Sequence, residues 1–421
     1  VILANGQFEE EPLAELEGLA TTAGTIVAGG LTQRREKPDT ALCLGRGKVE
    51  ELVTLVNNLA ADVVIFDNDL SPGQTRNLER ALNVKVLDRT ELILDIFATH
   101  AQTYESRLAV ELAQLEYALP RLKRMWTHLS RMKLGVGMRG PGEKQLEVDR
   151  RLVERRIHEL RSELQKIERR KERQVAGRRG HMTVSLVGYT NAGKSTLMNR
   201  LTSADVLVED KLFATLDTRT RRWQLPNWGP VLLSDTVGFI RDLPHRLIAS
   251  FKATLEEARQ ADLLLHVADA SSPVVLDQIS SVFSVLEEIG MQEKDSLLVL
   301  NKTDKLTADQ QLQSVLRRYP NAVPVSARTG DAADRLALAV SDALSRSFQD
   351  VDVEMGVENG KLMAFLAAHG EVLSKHYNGE RVSIHCRLPQ KFLGRISKDE
   401  ATVTPHHVDV AAEGEAMEDV A

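Results

Sequence analysis

Cysteine is scarce: Cys43 and Cys386 are the two thiols in 421 residues. Two thiols cannot build a disulfide framework or a four-cysteine zinc site, and so few in so long a chain fit a reducing compartment such as the cytoplasm. No uninterrupted run of about 18 apolar residues exists, which excludes a transmembrane helix and a membrane partner. The opening VILANGQFEEEP is acidic and lacks the positively charged n-region of a secretory signal peptide. No internal repeat is visible. His128, His158, His245 and His266 stand at no metal-ligand spacing, and His266, on an apolar run, reads as a core residue. His406 and His407 fall near the end of the chain, where the sequence gives no reason to read them as ligands.

What is present describes an ordinary soluble chain, with 43% hydrophobic and 27% charged residues. Its length suits two to four domains. The net charge of −6 argues against a general nucleic-acid or DNA binder. That average hides an asymmetry. Residues 121–180 carry 19 Lys/Arg against 8 Asp/Glu, a net of +11. The last 21 residues carry five acids and no Lys or Arg. Segregated positive charge is what a polyphosphate surface requires. A helix laced with i,i+4 Arg–Glu pairs is the plainer reading. It fails for 121–140, which has six Lys/Arg and no acid to pair with them.

Residues 1–100 alternate short apolar runs with helical patterns. TALCL (40–44), DVVIF (62–66) and VKVLD (84–88) read as strands; 47–60 and 71–82 read as helices, the second opened by Ser71 and Pro72. Such alternation implies a small parallel sheet. From about Thr90 to Met132 the spacing of Leu108, Leu112, Leu115, Leu119 and Leu122 predicts helix. KLGVGMRGPGEK (133–144) interrupts it, and a second long charged helix follows to about Ala176. Two long helices around a glycine-rich loop predict an antiparallel hairpin. Arg131, Lys133, Arg139 and Lys144 at its tip are candidate phosphate contacts with RNA; an ordinary interhelical turn is the other reading. Trp126, Met125 and Met132 either stack on bases or pack between the helices. GRGK (45–48) has the wrong spacing for a nucleotide loop. It is either a turn into a helix or a second phosphate contact.

The most specific signal is TVSLVGYTNAGKSTLMNRL. Thr183–Val187 reads as a buried strand. Gly188-Tyr189-Thr190-Asn191-Ala192-Gly193-Lys194-Ser195 fits G-x-x-x-x-G-K-[ST], and Thr196 continues into a helix. Glycines let backbone N–H groups curl around a phosphate at the positive end of the helix. Lys194 supplies a point charge, and Ser195 a hydroxyl for Mg²⁺. VLLSDTVGF ends a strand in Asp235, followed by Thr236, Val237 and Gly238. Asp235 is placed to hold Mg²⁺ through water, and the Gly238 N–H to sense a γ-phosphate. SLLVLNKTD ends in Asn301, Lys302, Thr303 and Asp304. A carboxylate at Asp304 can accept both guanine N1–H and N2–H; adenine lacks that donor pair. AVPVSARTG places Ser326, Ala327 and Arg328 after a further strand, toward the base edge.

These motifs resemble G1, G3, G4 and G5 of the P-loop GTPases. The resemblance implies a doubly wound, mostly parallel α/β sheet with GTP or GDP at the carboxyl ends of its strands. It also implies a switch I threonine within Phe213-Ala214-Thr215-Leu216-Asp217. Thr215 is the choice, because FATLD is similar to switch I of ribosome-assembly GTPases; Thr218 is the alternative. One residue departs from the Ras-like pattern. Phe239 stands where a Gln would orient the attacking water. Intrinsic hydrolysis is then expected to be slow, with activation by a partner or a cation. Asn191 resembles the residue that binds K⁺ in cation-dependent GTPases; otherwise it only shapes the loop.

LGRGKVEEL (44–52), VLDRTELILDIF (86–97), RLAVELAQLEYALPRL (107–122), RGPGEKQLEVDRRLVERRI (139–157) and DTVGFIRDLPHRLIASFKATLEE (235–257) resemble the HflX family of ribosome-associated GTPases. That likeness implies a Rossmann-like α/β subdomain (1–104), a basic helical hairpin (105–177), a GTPase domain (182–347), a small α+β module (350–398) and an acidic, disordered tail (399–421). It further implies binding to the large ribosomal subunit and its rRNA, GTP hydrolysis activated there, and splitting of stalled ribosomes in some members. Catalysis would rest on Lys194, Thr215, Asp235 and Gly238. The rival readings are an ATP- or GTP-dependent RNA helper with a second nucleotide site in the N-terminal subdomain, a tRNA-modification GTPase, and a nucleotide-gated scaffold.

Overall fold

The computed structural model describes residues 2–3, 12–129, 141–177, 182–202, 212–213, 218–226, 229–241, 257–291, 294–306, 309–346, 348–394, 396 and 400–406. They form two compact units. One comprises Val1–Gly177, Thr183–Trp223 and Leu232–Ala333; the other comprises Arg178–Met182, Gln224–Val231 and Asp334–Ala421.

The first unit begins with β1 (Ile2–Leu3), α1 (Ala14–Thr22), β2 (Gln33–Arg34), α2 (Arg46–Leu59), β3 (Val63–Phe66), α3 (Pro72–Leu82), β4 (Lys85–Asp88) and α4 (Arg89–His100). β1 pairs with β2 and β3 with β4, both in parallel. A capping box starts α3: Gln74 N–H donates to Ser71 Oγ at 3.3 Å, and Gln74 Oε1 accepts from Ser71 N–H at 2.8 Å. Its buried face, Leu78 and Leu82, packs with Val49, Leu52 and Val56 of α2. Residues 40–44, expected as a strand, form a turn instead. Asp39 Oδ1 accepts from the N–H groups of Ala41 and Leu42 at 2.8 and 2.9 Å, and Cys43 takes φ 64°. A local side-chain acceptor has outcompeted the ladder for these donors.

Asp88 joins this subdomain to the hairpin. It caps α4 by accepting from Glu91 N–H at 2.9 Å, and it also accepts from Leu70 N–H at 3.2 Å. The Tyr117 hydroxyl and Arg121, the latter at 2.6 Å, reach the same carboxylate from α5 (Tyr104–Leu129). α5 runs antiparallel to α6 (Pro141–Gly177): Glu105, early in α5, pairs with Lys171, late in α6, and Glu116 pairs with Arg161. Leu108, Leu112, Ile157 and Leu160 close the seam. Pairing between helices thus absorbs part of the basic charge. Arg131, Lys133 and Arg139 lie outside the described residues, as does Met132. Lys144 lies in α6.

Next come β5 (Thr183–Gly188), α7 (Lys194–Thr202), β6 (Arg219–Leu225), β7 (Gly229–Asp235), β8 (Leu263–Asp269), α8 (Val275–Glu288), β9 (Ser296–Asn301), α9 (Asp309–Arg318) and β10 (Val323–Pro324). The six strands form one sheet in the order β10-β9-β8-β5-β7-β6. β10, β9, β8, β5 and β7 are mutually parallel. β5 and β8 are buried almost throughout, as strands covered on both faces must be.

The second unit holds α10 (Ala333–Ser345), β11 (Phe348–Gly356), α11 (Gly360–His369), β12 (Glu371–Asn378), β13 (Arg381–Pro389), α12 (Gln390–Leu393) and β14 (Ala401–Pro405). Its antiparallel sheet has the order β12-β13-β11-β14. The expected end of the ordered module at 398 needs correcting, because β14 completes the sheet beyond it. Alternating Ala401 and Val403 with threonines gives that segment a strand pattern that the acidity downstream obscured. Both cysteines are buried and free. No helix among the described residues is long and apolar enough to cross a membrane.

Candidate functional site

The loop from β5 into α7 is built around two glycines. Gly188 has φ +149°, and a Cβ there would lie 2.1 Å from the Val267 carbonyl oxygen. Gly193 has φ +87°, and a Cβ there would lie 2.4 Å from Asn301 Nδ2. Asn191 is exposed at the turn of the loop with φ 58°, a left-handed conformation that Asn tolerates. Lys194 is buried and donates to the carbonyls of Gly188 and Tyr189 at 3.1 and 2.9 Å. Burial lowers its pKa to about 8, against an opposing pull from Asp235. Thr196 continues α7.

Ser195 Oγ donates to Asp235 Oδ2 at 2.6 Å, so the two oxygens proposed for Mg²⁺ share one point at the carboxyl ends of β5 and β7. A hydroxyl beside a carboxylate is a donor set that fits this ion. Thr236 is anchored to β5 through Leu186 O at 2.6 Å. Val237 is buried. Gly238 lies so close to the loop that a Cβ would meet Thr190 Cα at 2.9 Å and Lys194 Nζ at 3.1 Å. Phe239 continues the contact through its backbone: Thr190 N–H donates to Phe239 O at 2.6 Å, and Phe239 N–H donates to Gly188 O at 3.0 Å. Its ring is buried in the apolar cluster with Phe97 and Phe213. The buried Thr190 hydroxyl has no hydrogen-bond partner among the described residues.

Asn301 ties the phosphate end to the base end. Its Nδ2 donates to Ala192 O at 2.9 Å, and its Oδ1 accepts from Ala327 N–H at 2.9 Å. Asp304 Oδ1 accepts from Ser326 Oγ at 2.6 Å, which orients the carboxylate. Lys302 adopts φ 63° and pairs with Asp269 at 2.8 Å. Thr303 N–H is held by Val325 O at 3.3 Å. Arg328 is exposed. The structure therefore gathers the four motif segments at one end of the sheet. Ala214, Thr215, Leu216 and Asp217 lie outside the described residues. Phe213 sits in the core, edge-on to Phe97 with ring centroids 4.6 Å apart. Thr218 directly precedes β6. His266 is buried against Phe283, and burial lowers its pKa to about 3, so it stays a neutral core residue.

Sequence reasoning missed a charged clasp behind the loop. The Tyr189 hydroxyl donates to Glu15 Oε1 at 2.8 Å and accepts from Arg241 N–H at 2.7 Å. Arg89 donates to Glu15 at 2.6 Å, to Asp67 at 2.5 Å and to Arg241 O at 3.2 Å. Burial works against the Arg89 charge, but Glu15 and Asp67 outweigh it and raise its pKa. Burial beside Glu15 likewise raises the Tyr189 phenol. The clasp joins the nucleotide loop and the residues after Gly238 to α1, β3 and α4. The available signal was Arg89 itself, a charge directly after an apolar strand. Asp269, at the end of β8, was overlooked as well, because its partner Lys302 lies on another strand's loop.

The chain matches known families in three consecutive stretches. Residues 10–98 match "GTP-binding GTPase N-terminal", residues 100–178 "GTP-binding GTPase Middle Region" and residues 183–302 "50S ribosome-binding GTPase". It is 45% identical to GTPase HflX of Escherichia coli strain K12, over 93% of this chain and 92% of that protein. It is 46% identical to GTPase HflX of Magnetococcus marinus, over 91% and 89%. With GTPase HflX of Alkalihalophilus pseudofirmus it shares 50% identity over 71% of each.

Proposed function

Because the chain belongs to the HflX family of GTPases, we propose that it is a GTP-gated ribosome-binding enzyme, slow alone and accelerated by the large ribosomal subunit. The observation that carries this reading is Phe239. Its ring is buried in the core and its backbone is bonded to the loop, so the position following Gly238 offers no side chain to orient water. An activator must supply that organisation. The match to a family described as 50S ribosome-binding favours the large subunit as its source, and the basic 121–180 segment suits rRNA.

In this reading Asn301, Asp304 and Ser326–Arg328 hold guanine. Backbone N–H groups of 188–196, with Lys194, hold the phosphates. Ser195, Thr215 and, through water, Asp235 hold Mg²⁺, which neutralises phosphate charge when bound. Gly238 responds to the γ-phosphate. The clasp of Tyr189, Arg241, Glu15 and Arg89 offers a path by which that response reaches the N-terminal subdomain, which with the hairpin would engage rRNA. Hydrolysis to GDP then releases the ribosome. Splitting of stalled ribosomes is the corresponding cellular task. The domain division follows the same logic: subdomain 1–104, hairpin 105–177, GTPase 182–347, then a C-terminal module extended to 406.

GTP turnover by the purified chain in K⁺ buffer, with and without large subunits, tests the proposal. A rise of about two orders of magnitude or more is expected, within the range that activators give such enzymes. No rise, with GTP still bound, would move the activator to another RNA or protein. Competition of GTP and ATP against a fluorescent GDP separates this reading from an ATP-driven RNA helper.

A further inference from the structure

The C-terminal sheet carries a cluster that the GTPase reading does not use. Asp352 on β11 and His385 on β13 are directly opposed in the ladder. His406, just past β14, reaches the same face through its Nδ1, 2.8 Å from Asp352 Oδ2. The two imidazoles stack with centroids 3.6 Å apart and planes 15° apart. His385 Nε2 meets Asp350 Oδ1 at 2.5 Å. One ligand atom from each of Asp352, His385 and His406 lies within 4.8 Å of the others. The opposite face of these strands is buried, with Val353 and Ile384 at 0% exposure, so the backbone under the cluster is fixed. The cluster itself is reachable: its side chains are 31%, 18% and 27% exposed, in the order Asp352, His385, His406.

We propose that Asp352, His385 and His406 form a binding site for a divalent transition metal of the zinc class. His385, His406 and Asp352 present one donor atom each from the same face of the sheet, and one dication can accept a lone pair from each. Two imidazole nitrogens and a carboxylate select Zn²⁺, Co²⁺ or Ni²⁺ over Mg²⁺ or Ca²⁺, which prefer all-oxygen sets. Ligand atoms around a tetrahedral zinc stand about 3.4 Å apart, given metal–ligand bonds of about 2.0–2.2 Å. Because an imidazole lone pair lies in the ring plane, the two rings must turn out of their stack to aim at one ion, a movement open to them on this partly exposed face. Water completes the shell. Asp350 is left to orient His385 or to approach as a further oxygen. The ligands come from three strands, β11, β13 and the end of β14, so the ion would pin the edge strand to the centre of the sheet.

Cobalt titration of the untagged full chain, stripped with chelator and held in excess Mg²⁺ and GDP, tests the site. The expected result is one equivalent of Co²⁺ with the visible d–d bands of a four-coordinate ion, erased by stoichiometric Zn²⁺, together with a higher thermal midpoint. His406→Gln, beyond the last strand, should keep the far-UV circular dichroism and lose the bands; His385→Gln should do the same. Asp350→Asn should keep the bands, with affinity weakened by about 10- to 100-fold. A wild-type spectrum that stays that of the six-coordinate aquo ion overturns the proposal. So does a folded His406→Gln that binds cobalt as the wild type does.

Discussion

Asp304 and Lys194 show what single side chains contribute. Asp304 is oriented by Ser326 at 2.6 Å, so its acceptors are aimed before any base arrives. Asp304→Asn replaces one acceptor with a donor. GTP affinity should fall by about two orders of magnitude, in line with the cost of an unpaired polar group at a purpose-built site, while xanthine nucleotides gain. Guanine affinity unchanged in competition binding would refute the base assignment. Burial lowers the Lys194 pKa to about 8, so the amine of the free protein gives up its charge at a lower pH than an exposed lysine. Phosphates favour the charged form, so binding GDP near pH 8 should take up a fraction of a proton and affinity should decline as the pH rises further. Calorimetry in buffers of different ionisation enthalpy reads this directly. A buffer-independent enthalpy at pH 8 would mean that the amine is already fully charged.

Elements explain how much was legible beforehand. β5, β7, β9 and the loops after them were readable because each motif couples an apolar run to chemistry with fixed spacing. The start of α3 was readable from Ser71 and Pro72 for the same local reason, although the part played by Gln74 in its capping box was not. The failures at 40–44 and 401–405 are also local. In the first, Asp39 captured the backbone donors; in the second, an acidic neighbourhood masked a short edge strand. The clasp was illegible because Glu15, Asp67, Arg89, Tyr189 and Arg241 are far apart in sequence, and no pattern announces a contact made only by folding. Its importance can be tested at this scale. Arg89, whose side chain is 5% exposed, is the cation shared by Glu15 and Asp67. Arg89→Met leaves two partly buried carboxylates without it and should lower stability by about 3 kcal/mol, near the cost of breaking a buried ion pair. Urea unfolding measures the loss; a midpoint equal to that of the wild type would show that the clasp contributes nothing.

At the scale of the molecule, the nucleotide loop is held from both sides. Asn301 braces it from the base side and Phe239 from the switch side, while Tyr189 extends it into the N-terminal subdomain. That arrangement leaves Asn191 exposed at the turn of the loop, where, on the proposal of cation activation, K⁺ would supply positive charge toward the phosphates. Single-turnover hydrolysis should accordingly be several-fold faster in K⁺ than in Na⁺, and Asn191→Ala should remove the difference. Equal rates of the wild type in the two salts would leave Asn191 a purely conformational residue.

Gly188 bears a genetic consequence. Its φ of +149° and the Val267 oxygen, 2.1 Å from any Cβ, leave no room for another side chain. At that codon only the third base is free to drift. Every missense change there should read as a null allele, whatever the chemistry of the incoming residue. A library saturated at position 188 would return a single amino acid among its survivors, wherever growth depends on this protein.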